Sequence, residues 1–155
     1  MARPLAPQAL GTPLGMYSHG MVSPPGELVV VAGQVGATTD GQVAVGDVVA
    51  QTKQALENVR AVVESAGCTM RDVVRLQTFL TRADDIAGFM KARSEVFPRY
   101  FPDGVYPPNT LLVVSRLVRP EFLVEIEALA VKPVRPAPAA RRPARRSAPA
   151  ARRRR

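Results

Sequence analysis

The run Pro107-Pro108-Asn109-Thr110-Leu111-Leu112-Val113-Val114-Ser115-Arg116-Leu117, answered by Leu123-Val124-Glu125-Ile126-Glu127-Ala128-Leu129-Ala130, decides how this chain reads. Two apolar runs broken by Val118-Arg119-Pro120-Glu121 have the form of a β-hairpin. In the second run, Glu125 and Glu127 stand at i and i+2, the spacing that puts two side chains on one face of a strand. A carboxylate pair on a strand face is a candidate acid/base site.

Upstream of this pair the hydrophobic period changes. From Asp47 to Ala66, apolar residues fall at Val48, Val49, Ala55, Leu56, Val59, Val62, Val63 and Ala66, the three-to-four spacing of an amphipathic helix, and Gly67 supplies a stop. Val73 to Thr81 returns to strand character. Asp84 or Asp85 then caps a second helix through Ile86, Phe89, Met90, Val96 and Phe97, which Pro98 is expected to end or kink. Nearer the N-terminus, Met21-Val22 and Glu27 to Ala32 predict a hairpin across Ser23-Pro24-Pro25-Gly26, and Leu5 to Leu14 predict an irregular arm. The order strand-strand-helix-strand-helix-strand-strand is an α+β layout, a sheet with two helices packed on one face. Its other face must be solvated or buried against another subunit, and the apolar character of the last two strands favours burial.

Composition sets the outer limits. At 155 residues and 46% hydrophobic content the chain holds one domain's worth of core. Its net charge is +8, but nine arginines lie between Val134 and Arg155 without one acidic residue, so the remainder carries about −1. The basic character therefore belongs to a tail. Three segments follow: an arm over 1–15, a domain over 16–132 and a Pro/Ala/Arg-rich tail over 133–155. The tail's composition cannot bury a core and predicts disorder. It would attract nucleic acid or another polyanion non-specifically by counterion release, with no aromatic to stack on bases; an unselected extension would look the same. The single cysteine, Cys68, excludes an internal disulfide and cysteine-rich zinc clusters, in keeping with a reducing compartment. No apolar run reaches the ~18 residues of a membrane span, and no export signal is visible, so a soluble cytoplasmic protein is the expectation.

Taken together, Tyr17-Ser18-His19-Gly20, Val31-Ala32-Gly33-Gln34-Val35, Gln51 with Leu56-Glu57-Asn58-Val59, Glu64-Ser65-Ala66-Gly67-Cys68, Val73 to Thr81 and Leu123 to Ala130 resemble the RidA/YjgF family over about Leu14 to Val131. The resemblance implies a chorismate-mutase-like α+β fold and a homotrimer with ligand clefts between subunits. It also implies hydrolysis of reactive enamines and imines to carbonyl compounds and ammonia, with no metal or organic cofactor. In the family's archetypes an arginine entering the penultimate strand holds the substrate carboxylate, and a cysteine often follows two residues later. Here Asn109 stands for the arginine and Leu111 for the cysteine. A neutral amide cannot reproduce the two charge-assisted hydrogen bonds of a guanidinium, so a carboxylate-bearing imine would bind poorly and a neutral or apolar small molecule better. Arg116, seven residues on, has the wrong parity in a regular strand to replace it.

Other matches persist. Glu125 matches the water-activating glutamate, Tyr17 the aromatic at the cleft edge and Gly33 the glycine whose backbone approaches ligand, with Glu127 on the face of Glu125. Alternatives stay open for each. The two glutamates would equally serve as a polar stripe paired with arginines across a subunit interface, and Tyr17 as packing for the arm. His19 reads as a surface or hydrogen-bonding residue and Cys68 as a structural thiol. Three functions remain: a divergent imine or enamine hydrolase, a non-catalytic ligand-binding trimer, and a nucleic-acid-associated trimer acting through its tails.

Overall fold

The computed structural model describes residues 2–134; the segment 135–155, with its predicted disorder and polyanion binding, lies outside the described residues. Six strands and two α-helices follow one another: β1 (Arg3–Leu5), β2 (Gly20–Val22), β3 (Gly26–Val35), α1 (Val48–Ser65), β4 (Val73–Leu80), α2 (Ile86–Tyr100), β5 (Asn109–Val113) and β6 (Val124–Pro133). The main sheet has the order β3-β6-β4-β5, antiparallel except for the parallel β4–β5 pair. It is the mixed sheet of an α+β fold, with α1 and α2 on one face.

The helices form where the pattern places them. The Asp47 carboxylate accepts the Ala50 N–H at 2.9 Å and caps α1, and Gly67, at φ 77°, takes the left-handed conformation that lets the chain leave the helix. The apolar stripe of α1, including Ala55, Leu56, Val59 and Val63, is buried against Val31, Leu76, Ile126 and Ala128 of the sheet and Phe89 and Phe97 of α2. Each such fully buried large side chain contributes about 1.5–3 kcal/mol relative to exposure.

Three local expectations are corrected. First, β5 and β6 are not a hairpin, because β4 lies between them. The connection after Val113 is long enough to cross a strand, and the longer β6 takes the central place, pairing with β3 on one side and β4 on the other. Second, β2 pairs with β1 and not with β3, so the N-terminal arm opens on a strand that forms a separate two-stranded ladder, Leu5 opposite Gly20. Pro24 and Pro25 have no N–H to donate to a ladder, and they mark the change of sheet. Third, α2 runs through Pro98 to Tyr100. In the last turn a proline removes one hydrogen bond, and the Phe101 N–H still closes on the Phe97 carbonyl at 2.7 Å. Asp85 occupies the N-cap position of α2, but its carboxylate pairs with Arg82 at 2.8 and 3.0 Å and makes no cap bond.

Candidate functional site

Alternation along β6 separates core from site. Val124, Ile126, Ala128 and Ala130 are buried under the helices, whereas Glu125, Glu127 and Leu129 point to the open face. Register then fixes their neighbours: Phe79 lies directly across from Glu125, Gln77 from Glu127 and Arg75 from Leu129 on β4, and Val35 on β3 pairs with Glu125. Between Val31 and Gln34 the β3–β6 register shifts, and Gly33 sits in that irregularity. A Cβ at Gly33 would lie 1.7 Å from Glu125 Oε1, so the carboxylate rests directly on the glycine backbone. Only a residue without a side chain admits this approach. Among the described residues neither Glu125 nor Glu127 makes an ion pair, although eight other pairs form elsewhere on the chain.

Glu127 borders a hollow that neither Gly33 nor Glu125 lines. Val30, Ala32, Arg75, Gln77, Glu127 and Leu129 line a depression of about 150 Å³ on the open face, in which the Arg75 guanidinium donates to the Gln77 side-chain oxygen. Arg75, Gln77 and Phe79 were not singled out from sequence, yet their alternation in β4 places them on the face that carries the β6 carboxylates.

Asn109 and Leu111 lie elsewhere. In the parallel register Asn109 pairs with buried Leu76, and its Oδ1 accepts from the buried Thr78 hydroxyl at 3.1 Å; Leu111 pairs with Thr78 and packs against the core. Both side chains thus belong to the helix-covered side, while exposed Thr110 and Leu112 alternate to the other. One strand also intervenes, so Asn109 is separated from the β6 carboxylates by about 10 Å across the sheet as well as by face. Half-buried Tyr17 stands near the entry to β5, because the neighbouring Ser18 hydroxyl donates to the Tyr106 carbonyl at 2.6 Å. Within a single chain Gly33 and Glu125 are in contact and Glu127 shares the face of Glu125, whereas Asn109 and Leu111 lie on the other face and Tyr17 stands toward the entry to β5. One chain does not bring Glu125 and Asn109 together.

Other candidates take structural positions. Arg116 is not on a strand, since β5 ends at Val113, and its Nε donates to the Leu117 carbonyl at 3.3 Å. His19 Nε2 lies 3.1 Å from the Gly11 carbonyl. Burial, with Asp72 nearby, pushes the Cys68 thiol above its ordinary range, which disfavours the nucleophilic thiolate. Among the described residues there is no cluster of three metal-ligating side chains, and no helix is long and apolar enough to cross a membrane.

A mixed four-stranded sheet with both helices on one face and a carboxylate-bearing central strand on the other is the architecture of RidA-type α+β proteins. Residues 7–132 match the family described as endoribonuclease L-PSP, and the chain belongs to this family, which includes the RidA, RutC and YjgF proteins. It is 35% identical over 121 residues to a RutC family protein of Pyrococcus horikoshii, covering 77% of this chain and 90% of that one. It is 30% identical over 132 residues to the 2-iminobutanoate/2-iminopropanoate deaminase of Salmonella typhimurium, covering 85% and 99%. Among solved structures, the Rid family protein YyfB of Yersinia pestis superposes with a TM-score of 0.73 at 31% identity, covering 84% of this chain and 98% of the other.

Proposed function

We propose that this chain is a divergent enamine/imine deaminase that hydrolyses the C=N bond of a neutral or apolar imine, with Glu125 positioning and deprotonating the water. The observation that carries this reading is the Glu125 carboxylate, unpaired among the described residues, held on the Gly33 backbone opposite Phe79 on the open sheet face. The water oxygen adds to the imine carbon as Glu125 takes its proton. That proton passes to nitrogen, giving the carbinolamine; Glu125 then takes the hydroxyl proton and returns it to the amine nitrogen as the C=O bond forms and the C–N bond breaks, releasing a carbonyl compound and ammonia. General-base assistance of this kind contributes about 10²–10⁴-fold. The Salmonella relative's name supports the reaction class.

The second wall of the site is proposed to come from another copy of the chain. Exposed apolar residues on the open face, Leu28 at 64% and Val30 at 68% exposure, favour burial against other subunits, and a homotrimer would set Tyr17, Asn109 and Leu111 of one subunit opposite Gly33 and Glu125 of the next. Asn109 enters this cleft without charge. Thr78 occupies its carbonyl oxygen, which leaves the amide N–H groups to donate to a neutral acceptor on the ligand. A substrate carboxylate would lack the two charge-assisted bonds an arginine provides.

The test is ammonia release from a panel of imines generated in situ, with wild type and Glu125→Gln compared. Turnover of neutral imines above that of 2-aminoacrylate, lost by about 10²-fold or more in Glu125→Gln, is the expected result. Efficient 2-aminoacrylate turnover would overturn the role given to Asn109. Absence of turnover with saturable ligand binding would replace the enzyme by a binding protein.

A further inference from the structure

Arg93, on α2, is 3% exposed, and among the described residues it forms no ion pair with a carboxylate. Its Cζ lies over the rings of Phe97 at 4.5 Å and Phe89 at 5.4 Å, one terminal nitrogen is 3.6 Å from Met90 Sδ, and the buried Nε has no hydrogen-bond partner among the described residues. Burial lowers the guanidinium pKa to about 10. A charge in such surroundings is a poor way to fill space, because an apolar side chain of similar volume would avoid the desolvation cost. What the guanidinium does that no apolar side chain can is donate a charge-assisted hydrogen bond to the Met16 carbonyl.

Met16 is the residue before Tyr17. The strap Met16–His19 is tied at three points: Met16 to Arg93, Ser18 to the Tyr106 carbonyl and His19 to the Gly11 carbonyl. The Tyr17 and His19 rings then meet edge-to-face at 6.0 Å. Of the three ties, Arg93 alone reaches α2 and is charged, and it is buried where water cannot compete for the carbonyl.

We propose that Arg93 is the positioning residue of Tyr17: it seats the strap against α2 through the Met16 carbonyl and so fixes where the Tyr17 ring stands beside the entry to β5. The consequence for turnover rests on the reading of Tyr17 as a cleft residue. The seating of the strap does not.

Hydrogen exchange and thermal unfolding of full-length wild type, Arg93→Met and Arg93→Lys separate the two. Arg93→Met fills the same space without charge, so its Tm is expected to stay within a few degrees of wild type or to rise, while amides of residues 17–20 exchange about tenfold faster and α2 stays as protected as before. Arg93→Lys, which can still donate to Met16, is expected to restore slow exchange to within about threefold of wild type. Unchanged exchange at 17–20 in Arg93→Met overturns the proposal. So does a lowered Tm with faster exchange throughout, which would mark Arg93 as a core residue only. If Arg93→Met does not fold, Arg93→Lys decides: slow strap exchange upholds the proposal and fast exchange with normal stability overturns it. On a turned-over imine, Arg93→Met is expected to raise KM several-fold with kcat little changed. If that KM effect is absent while the strap loosens, the role of Tyr17 in the cleft fails and the positioning role stands.

Discussion

A methyl group at position 33 would lie 1.7 Å from Oε1 of Glu125 and 2.5 Å from its carboxyl carbon. The obstacle is the far end of a flexible side chain, so the backbone need not move. Gly33→Ala is therefore expected to keep Tm within a few degrees and, if Glu125 is the base proposed above, to cost up to about 10²-fold in imine hydrolysis, the order of effect of misplacing a reacting group by an ångström; a scanning calorimetry trace beside an ammonia assay checks both. The shared face of Glu125 and Glu127 was legible from spacing, because the period of a strand is two. That Gly33 would underlie Glu125 was not, because it depends on a register shift between β3 and β6 that leaves no mark in either strand alone. Asn109 makes the complementary point. Its place in the chain announced a lost charge, whereas its face, and the Thr78 hydroxyl that occupies it, depend on the parallel pairing with β4.

Elements are joined to the site by buried polar side chains. Gln51, 0% exposed in α1, donates from Nε2 to the carbonyls of Ala44 at 3.0 Å and Glu121 at 2.9 Å, and its Oε1 accepts the Leu123 N–H at 2.9 Å. It thus fixes the turn that enters β6 two residues before Glu125. Gln51→Leu leaves three backbone groups unpaired, and a loss of about 3 kcal/mol in urea-denaturation stability is expected. Tyr100 joins the two helices. Burial first, then its bond to Glu57 at 2.5 Å, pushes its pKa up to about 12. A raised folded-state value means that the protonated hydroxyl's contribution is fully present below about pH 10 and is lost as pH climbs through 12. Wild type is therefore expected to lose about 2 kcal/mol between pH 10 and 12 that Tyr100→Phe does not lose, read from the difference between their denaturation curves. From sequence, Glu57 reads only as part of a family motif, and its partner Tyr100 lies 43 residues away, so the contact depends on the packing of α2 against α1.

At the scale of the whole molecule, the helices cover one face of the sheet and leave Leu28 and Val30 of β3 and Leu112 of β5 exposed on the other. If other copies bury that face, a charge introduced there must be desolvated. Val30→Glu is expected to convert the assembly to monomer in light scattering behind size exclusion, with the monomer's helical circular dichroism retained. It is also expected to abolish turnover, because Glu125 and Asn109 of one chain lie on opposite faces and need a second chain to share a cleft. Periodicity and the stop at Gly67 were enough to establish two amphipathic helices, a sheet covered on one side, and two carboxylates sharing a strand face, because those depend on residues a few positions apart. Strand order was not available from them. Two apolar runs near in sequence have the form of a hairpin until a third strand competes for the same ladder, and β4 wins that place because it pairs with both β5 and β6 while its buried side chains meet the helices. The same long-range pairing sent β2 to the arm, set Glu125 on Gly33 and put Asn109 on the far side of the sheet, since which face a side chain takes follows local alternation but which neighbours it meets there follows register.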